Sequence, residues 1–175
     1  MKIERIWAMP NKWTFTIKPI VKLLDEEIGV FMGKTRDNLL WADPFAGNNS
    51  PAQDRNDLNP ESEAQSHEDA LAWLQGKKEE SYDGILYDPP YSFRQLTECY
   101  KGIGREVTGD MTRMDYFSKC KDEIARIIKS GGRVICFGWN SMGLGKNRGF
   151  EMTRILLVPH GGSRNDTIVT VEIKL

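Results

Sequence analysis

YDGILYDPPY, residues 82–91, is the stretch of sequence that decides the fold class. Its first six residues form an apolar run of strand length, and two prolines stop the run because proline has no N–H group for a ladder hydrogen bond. Asp88 therefore stands at the carboxyl end of a buried strand. Ligands of α/β proteins bind at this edge of the sheet, so residues 88–91 are the first candidate for a functional site.

Strand and helix patterns alternate on both sides of this stretch. Apolar residues recur at helical spacing in three places, and short apolar runs typical of strands separate them. The sequence predicts helices over residues 17–31, 67–74 and 116–129, and strands over residues 39–42, 82–87, 133–137, 154–158 and 167–173. The last two strands form a hairpin pattern, so we expect an α/β fold with a mostly parallel sheet and an antiparallel C-terminal hairpin.

Length, charge and cysteine content limit the kinds of protein that the chain can be. The chain has 175 residues with 24 basic and 25 acidic side chains, which favours one domain over residues 1–175 and requires a local patch for any nucleic-acid partner. No apolar run is long enough for a membrane span, and the first residues lack the apolar core of a signal peptide. Three cysteines without metal-ligand spacing indicate a reduced, cytoplasmic protein, and the two distant histidines predict no metal site.

The tetrapeptide Asp88-Pro89-Pro90-Tyr91 combines acceptors with an aromatic face. Its prolines remove N–H donors and stiffen the turn, which leaves the Asp88 carboxylate and a backbone carbonyl as acceptors beside Tyr91. This set suits a planar group that carries an amine. A strand-ending turn with a surface tyrosine is the alternative that the tetrapeptide by itself leaves open.

A second acidic loop, Asp43-Pro44-Phe45-Ala46-Gly47, follows the predicted strand over residues 39–42. An acid and a glycine turn at this place suit a ligand with a cationic or hydroxyl-bearing part. The spacing matches neither the dinucleotide nor the P-loop motif. A plain strand-to-loop turn is again the alternative.

Together the two loops resemble those of the amino-methylating S-adenosylmethionine (AdoMet) methyltransferases of DNA. Residues 43–47 look like the cofactor loop of that family, and residues 88–91 look like its catalytic loop. The likeness extends over residues 14–175 and implies a Rossmann-like methyltransferase sheet with AdoMet as the cofactor. The cofactor-binding residues that it implies are Thr16, Lys18, Asp43, Phe45, Ala46, Gly47, Asp57, Asn59, Asp69 and Ala70.

Particular roles come with this resemblance. Thr16 and Lys18 lie in a segment similar to the Thr-Gln-Lys-Pro segment that precedes the cofactor loop in many of these enzymes. Asp57 resembles the acid that ends the second strand and binds the ribose hydroxyls. Asp69 resembles the residue that meets the adenine of the cofactor.

The sequence departs from the family pattern in two respects. Nine residues separate Gly47 from Asp57, whereas an ordinary helix takes about 11 residues, so we expect the helix usual at this place to be missing and the cofactor pocket to be more open. No separate target-recognition domain fits in the chain. Target choice then falls to short loops, a second copy of the chain or a partner protein.

The activity that the resemblance implies is methyl transfer to the exocyclic N6 of adenine in DNA, with residues 88–91 as the catalytic residues. Asp at the first position favours adenine, since cytosine-amino relatives usually carry Ser there. We expect residues 92–115 to form a mobile loop that contacts the nucleic acid, although a plain crossover with solvated charges stays open. The predicted substrate contacts are Phe93, Arg94, Arg105 and Arg113.

Other functions remain compatible with the sequence. The same chemistry could act on RNA or on another amino acceptor, and a methyltransferase fold could serve only to bind AdoMet or a partner protein. The small, free-standing chain is typical of a virus or mobile element.

Overall fold

A computed structural model describes residues 1–28, 30–31, 34–35, 39–104, 115–162 and 164–175. The strands are β1 (Lys2–Arg5), β2 (Val30–Phe31), β3 (Lys34–Thr35), β4 (Trp41–Asp43), β5 (Asp54–Arg55), β6 (Tyr82–Tyr87), β7 (Ile128–Gly138), β8 (Phe150–Val158) and β9 (Thr167–Lys174). The helices are α1 (Lys18–Ile28), α2 (Ala70–Gln75), α3 (Phe93–Gly102) and α4 (Tyr116–Ile127).

The main sheet has seven strands in the order β1-β8-β9-β7-β6-β4-β5. β4, β5, β6 and β7 run parallel to their neighbours within this group, whereas β9 is antiparallel to both β7 and β8. This arrangement confirms the predicted α/β fold with a mostly parallel, Rossmann-like sheet and a C-terminal hairpin. The sequence analysis did not predict β1, which extends the sheet by pairing in parallel with β8.

The core lies on both faces of this sheet because side chains alternate along the strands. In β6, Ile85 and Tyr87 pack with α2 and α4, while Leu86 between them packs with α1. Neighbouring β4 is locked to β6 at one point, where Trp41 lies opposite Gly84. A methyl group on Gly84 would lie 2.4 Å from the indole of Trp41, so glycine is required there.

The segment between β4 and β5 contains turns and no helix, as the short spacing predicts. Asn56 holds this shortened connection together from a fully buried position. Its side-chain amide donates to the carbonyls of Pro44 (3.2 Å) and Glu68 (3.0 Å) and accepts from the Glu68 N–H group (3.0 Å). Hydrogen bonds from one buried side chain thus replace part of the packing that a helix would provide.

The expectation of a loop over residues 92–115 is wrong for its first part, which forms α3. Ser92 caps this helix by accepting from the N–H group of Gln95 at 3.2 Å, and Leu96 and Tyr100 bury one face. The Ser92-x-x-Gln95 pattern is a helix-start signal that could have predicted the helix. Residues 105–114 lie outside the described part of the chain.

Several predicted boundaries shift by a few residues. The helix predicted over residues 17–31 ends at Ile28, and the helix predicted over residues 67–74 begins at Ala70. The strand predicted over residues 133–137 already starts at Ile128. Within the described ranges, the helices lack the length and apolar character required to cross a membrane.

Candidate active site

The two predicted site loops meet because β4 and β6 are parallel neighbours whose carboxyl ends lie side by side. A cavity of about 570 Å³ opens between them, and we call it the main cavity. Its lining residues are Asn11, Lys12, Thr14, Ile17, Phe45, Asp57, Asp88, Pro89, Pro90, Tyr91, Gln95, Glu98, Cys99 and Thr167. All four residues of the predicted catalytic loop therefore face one cavity.

Asp88 is half-buried in the wall of this cavity, and hydroxyl groups hold its carboxylate. The Tyr91 hydroxyl donates to Asp88 Oδ1, and the Thr14 hydroxyl bonds the same carboxylate. Burial raises the pKa of Asp88, while these two hydrogen bonds act in the opposite direction. The loop itself is tied to α3, since the N–H group of Tyr91 donates to Gln95 Oε1 at 2.7 Å.

Asp43 lies beneath the cavity and is fully buried. Its carboxylate accepts from the Ser50 hydroxyl at 2.6 Å and from the N–H group of Phe45 at 2.9 Å. Burial raises the pKa of Asp43 to about 8, and the nearby charges of Asp88 and Asp57 add to the increase. The site thus contains a carboxyl group that changes charge near neutral pH.

Asp57 lies where the main cavity meets a smaller one. Its carboxylate accepts from the N–H groups of Gly47 and Asn59, both at 2.9 Å. The smaller cavity, which we call the side cavity, has a volume of about 70 Å³ and mostly apolar walls. Its lining residues are Pro44, Phe45, Asp57, Leu58, Glu68, Ala70, Pro90, Leu96, Cys99, Tyr100 and Tyr116.

Asp69 serves as the cap of α2. One carboxylate oxygen accepts from the N–H groups of Leu71 (3.0 Å) and Ala72 (3.1 Å). The other accepts from the hydroxyls of Tyr100 (3.1 Å) and Tyr116 (2.7 Å). The sequence neighbours of Asp69, Glu68 and Ala70, line the side cavity, whereas Asp69 does not. The contact of Asp69 with a cofactor therefore stays a prediction.

The remaining predicted residues are distributed unevenly. Phe45 lines both cavities and Ala70 lines the side cavity, while Ala46 is buried beside them. Thr16 and Lys18 line a separate groove along the N-terminal segment, and Asn59 caps a turn by accepting from the N–H group of Glu61 at 3.0 Å.

The predicted substrate contacts follow the catalytic loop on and beyond α3. Arg94 is exposed on the helix and forms an ion pair with Glu98 at 2.8 Å. Phe93 begins the helix, but its side chain is outside the description. Arg105 and Arg113 lie outside the described residues.

Thr14 and Thr167 also line the main cavity, although no sequence pattern predicts them as site residues. They belong to distant parts of the chain. His160 holds Thr167 from behind, with Nε2 at 2.8 Å from the Thr167 hydroxyl and Nδ1 at 3.0 Å from the carbonyl of Ala8. In a neutral imidazole, the nitrogen that faces the carbonyl carries the proton, and the Thr167 hydroxyl then donates to Nε2. No local sequence pattern predicts these hydrogen bonds, because they require the N-terminal segment to contact the β8–β9 loop.

Solved structures with similar folds are methyltransferases. TrmN from Thermus thermophilus matches with a TM-score of 0.53 and 18% identity over 91% of this chain, which spans 49% of that structure. The Escherichia coli protein yhhF, assigned as a methyltransferase, matches with a TM-score of 0.57 and 10% identity. The match covers 96% of this chain and 91% of that structure. A third similar structure is a 1,6-didemethyltoxoflavin-N1-methyltransferase from Burkholderia thailandensis with S-adenosylhomocysteine bound. It matches with a TM-score of 0.55 and 14% identity over 90% of this chain and 77% of that structure.

No protein-family model and no curated protein sequence matches the chain. The likeness of structure nevertheless defines the class of fold, a Rossmann-like methyltransferase fold. This fold and the S-adenosylhomocysteine in a similar structure are consistent with AdoMet as the cofactor.

The residues present fit such a cofactor. AdoMet has a flat adenine, a ribose with two hydroxyls and a cationic sulfonium group. The side cavity offers apolar walls for a flat ring, including Phe45 and Leu58, and Asp57 offers carboxylate acceptors at its junction with the main cavity. The acids that line the main cavity, Asp57, Asp88 and Glu98, outnumber Lys12 in the same lining and favour a cation by Coulomb attraction.

Proposed function

We propose that the protein is an AdoMet-dependent methyltransferase that acts on the exocyclic N6 of adenine in DNA. The observation that carries the proposal is the position of residues 88–91, all four of which line the main cavity. Three of the residues proposed to hold the cofactor, Phe45, Asp57 and Ala70, line the same cavity or the side cavity next to it. Acceptor and cofactor would thus meet in one space.

AdoMet, when bound, supplies a methyl group activated by the adjacent sulfonium charge. The protein's own groups then prepare the acceptor amine. The Asp88 carboxylate and the Pro89 carbonyl accept the two N–H bonds of the amine, which directs its lone pair away from the loop and stabilises the positive charge that develops on nitrogen. Holding the two reactants in this geometry removes most of the entropic cost of their encounter.

Burial makes Asp88 a better proton acceptor as well as a hydrogen-bond acceptor. Because its pKa is raised, the carboxylate can hold the proton that the amine must lose. The Tyr91 hydroxyl donates to Asp88 Oδ1 in the structure, and we propose that an incoming amine takes its place. The released Tyr91 ring is then free to stack on the acceptor base, which must leave the helix to reach the cavity.

The thiols of the described residues are poorly suited to act as nucleophiles. Cys99 lines the main cavity, but burial and the charges of Asp57 and Glu98 raise the pKa of its thiol. Methylation of a cytosine carbon needs a thiolate nucleophile, and burial raises the pKa of Cys136 and of Cys120 to about 12. Both thiols are buried in the core. An amino acceptor therefore fits the site better than a carbon acceptor.

The deciding experiment identifies the methylated nucleoside. Purified protein is incubated with methyl-labelled AdoMet and duplex DNA, single-stranded DNA or RNA, and the digested products are separated. We expect label in N6-methyldeoxyadenosine with the wild type and none with Asp88→Ala. Asp83→Ala serves as the matched control, because Asp83 is an acid of β6 that does not line the cavity. Its carboxylate accepts from Lys129 at 2.8 Å.

Other outcomes would change the proposal in defined ways. Label in N6-methyladenosine from RNA would keep the chemistry and replace the substrate. Transfer only to a free base or another small amine would overturn the nucleic-acid acceptor. AdoMet binding without transfer to any of these would leave a non-catalytic binding protein.

A further inference from the structure

A third cavity adjoins the catalytic loop and shares Pro89, Pro90 and Tyr91 with the main cavity. Its volume is about 190 Å³, and we call it the aromatic cavity because five of its twelve lining residues are aromatic. It is lined by Tyr87, Pro89, Pro90, Tyr91, Phe117, Lys121, Cys136, Phe137, Gly138, Trp139, Asn140 and Gly143. The proposed transfer reaction makes no use of this space.

The aromatic walls suit a flat, electron-rich ring. Tyr91 and Trp139 meet edge to face with ring centroids 5.6 Å apart, and Trp139 is 41% exposed at the mouth of the cavity. Lys121 and Asn140 add polar groups to the same wall. Aromatic side chains with a nearby cation are the usual platform on which proteins stack nucleobases.

A buried polar atom supports a ligand with hydrogen-bonding groups. The hydroxyl of Tyr87 has no hydrogen-bond partner among the described residues, although the residue is only 2% exposed. Burial raises the pKa of Tyr87, so the hydroxyl keeps its proton and remains both donor and acceptor. Leaving such a group unpaired is unfavourable, and a heteroaromatic ring in the cavity brings partners that a hydrocarbon lacks.

The acceptor amine itself belongs elsewhere. Asp88 lines the main cavity and does not line the aromatic cavity, so an amine in the aromatic cavity would miss the carboxylate. The two cavities share Pro89, Pro90 and Tyr91, so both adjoin the catalytic loop. Neighbouring bases of one strand can occupy two such adjoining cavities.

We propose that the aromatic cavity binds the nucleobase next to the acceptor adenine in the same strand. This inference rests on the proposed function and gives the protein a means of selecting its target from a short loop. Trp139 is the main stacking residue, and Tyr91 lies between the two bases.

The test measures binding of a short single-stranded oligonucleotide by fluorescence anisotropy, with S-adenosylhomocysteine saturating, so that it does not depend on methyl transfer. Trp139→Ala should raise the Kd about 5- to 150-fold, which is the range for loss of one stacked base. Trp139→Phe should recover most of the affinity. Trp7→Ala, which removes an indole 59% exposed on the N-terminal segment, should change the Kd less than about twofold.

An abasic site on each side of the acceptor distinguishes stacking from a general loss of structure. For one of the two abasic oligonucleotides, the Kd with the wild type should equal the Kd of the intact strand with Trp139→Ala. The same abasic oligonucleotide should show no further increase in Kd with Trp139→Ala. Equal losses from Trp139→Ala with intact and abasic strands, or an unchanged Kd, would overturn the inference. A wild type that binds but transfers no methyl group would contradict the proposed function while the abasic comparison still decides the role of the cavity.

Discussion

The two loops at the carboxyl edge of the sheet are held in different ways. In the cofactor loop, the carboxylates of Asp43 and Asp57 accept from backbone N–H groups of Phe45, Gly47 and Asn59. In the catalytic loop, prolines remove such donors and the Asp88 carboxylate is bonded by the side-chain hydroxyls of other residues. Backbone bonds fix a loop in one shape, whereas a hydroxyl can rotate away. This difference agrees with the proposed roles, cofactor binding for the first loop and exchange with a substrate for the second, although Asp43 also accepts from the Ser50 hydroxyl.

The largest expected effect is at the catalytic carboxylate. Asp88→Ala should lower the rate of methyl transfer by about 10²–10³-fold, as for loss of one group that stabilises developing charge. Asp88→Asn keeps an acceptor oxygen without the charge, and charge-assisted hydrogen bonds are about twice as strong as neutral ones, so we expect about a tenfold loss. Single-turnover kinetics measure both, with S-adenosylhomocysteine affinity as the control.

Affinity for S-adenosylhomocysteine should change less than about twofold in both variants, because Asp88 is proposed to act on the acceptor. Equal rates for the alanine and asparagine variants would show that charge alone matters at this position. A large loss of cofactor affinity would mean that Asp88 binds the cofactor, and the two loops would then not differ in the way proposed.

The next effect concerns the pH dependence of stability, through Asp43. Its pKa is raised to about 8 in the folded state, so the folded protein binds more protons than the unfolded chain from about pH 4 to pH 8. Its contribution to stability is therefore greatest below pH 4 and falls as pH rises towards 8, by at most about 1.4 kcal/mol per pH unit. Thermal unfolding of the wild type and of Asp43→Asn between pH 5 and pH 9 measures the difference.

Asp43→Asn is a close mimic of the protonated acid, since its amide can still accept from Phe45 and donate to Ser50. We expect the variant to gain stability relative to the wild type as pH rises, and the gap to stop growing above about pH 8. Parallel stability curves over the whole range would show that Asp43 keeps one charge state. The backbone bond from Phe45 would then be enough to hold the carboxylate ionised.

A smaller effect is expected where Asn56 replaces the missing helix behind the cofactor loop. Asn56→Ala leaves polar groups of Pro44 and Glu68 without their buried partner, which should lower the free energy of unfolding by about 2–3 kcal/mol. Cofactor affinity should fall with it, because the same bonds fix the walls of the side cavity. Urea unfolding and calorimetric titration with S-adenosylhomocysteine measure the two changes.

Asn48→Ala is a suitable control for Asn56→Ala, because the side chain of Asn48 accepts one exposed bond, from Glu63 at 3.0 Å. Its unfolding free energy should change by less than about 0.5 kcal/mol. If Asn56→Ala behaved like this control, the cofactor loop would be fixed by its own turn and not by the buried amide.

The sequence was a good guide where the signal is local. The bounds of β6 agree with the prediction, because an apolar run followed by two prolines determines where a strand ends. The missing helix after β4 could also be predicted, since nine residues between Gly47 and Asp57 are too few for a helix with its turns. Positions of the two loops at one edge follow from the parallel sheet.

Contacts between distant segments could not be predicted in this way. Asp69 accepts from Tyr100 and Tyr116, which lie 31 and 47 residues further along the chain, and no spacing rule connects them. The aromatic cavity likewise needs α4 and the end of β7 to meet the catalytic loop. Charge composition misled the interpretation of residues 92–115, where the capping signal of Ser92 and Gln95 was the better guide.

The smallest expected effect is at Arg94 on α3, which continues the catalytic loop towards the solvent. Arg94→Ala should raise the Kd for single-stranded DNA about two- to fivefold and lower the salt dependence of binding by about one unit of slope, as for loss of one phosphate contact. Lys22→Ala is the matched control, because Lys22 forms a similar i, i+4 ion pair with Glu26 at 3.8 Å on α1. Equal effects of the two substitutions would mean that DNA responds to net charge and that α3 is no part of its path. A larger effect of Arg94→Ala would show that the DNA-contacting surface continues from Asp88 along α3. This outcome is expected because the Arg94 side chain is 87% exposed and can leave Glu98 for a phosphate at little cost.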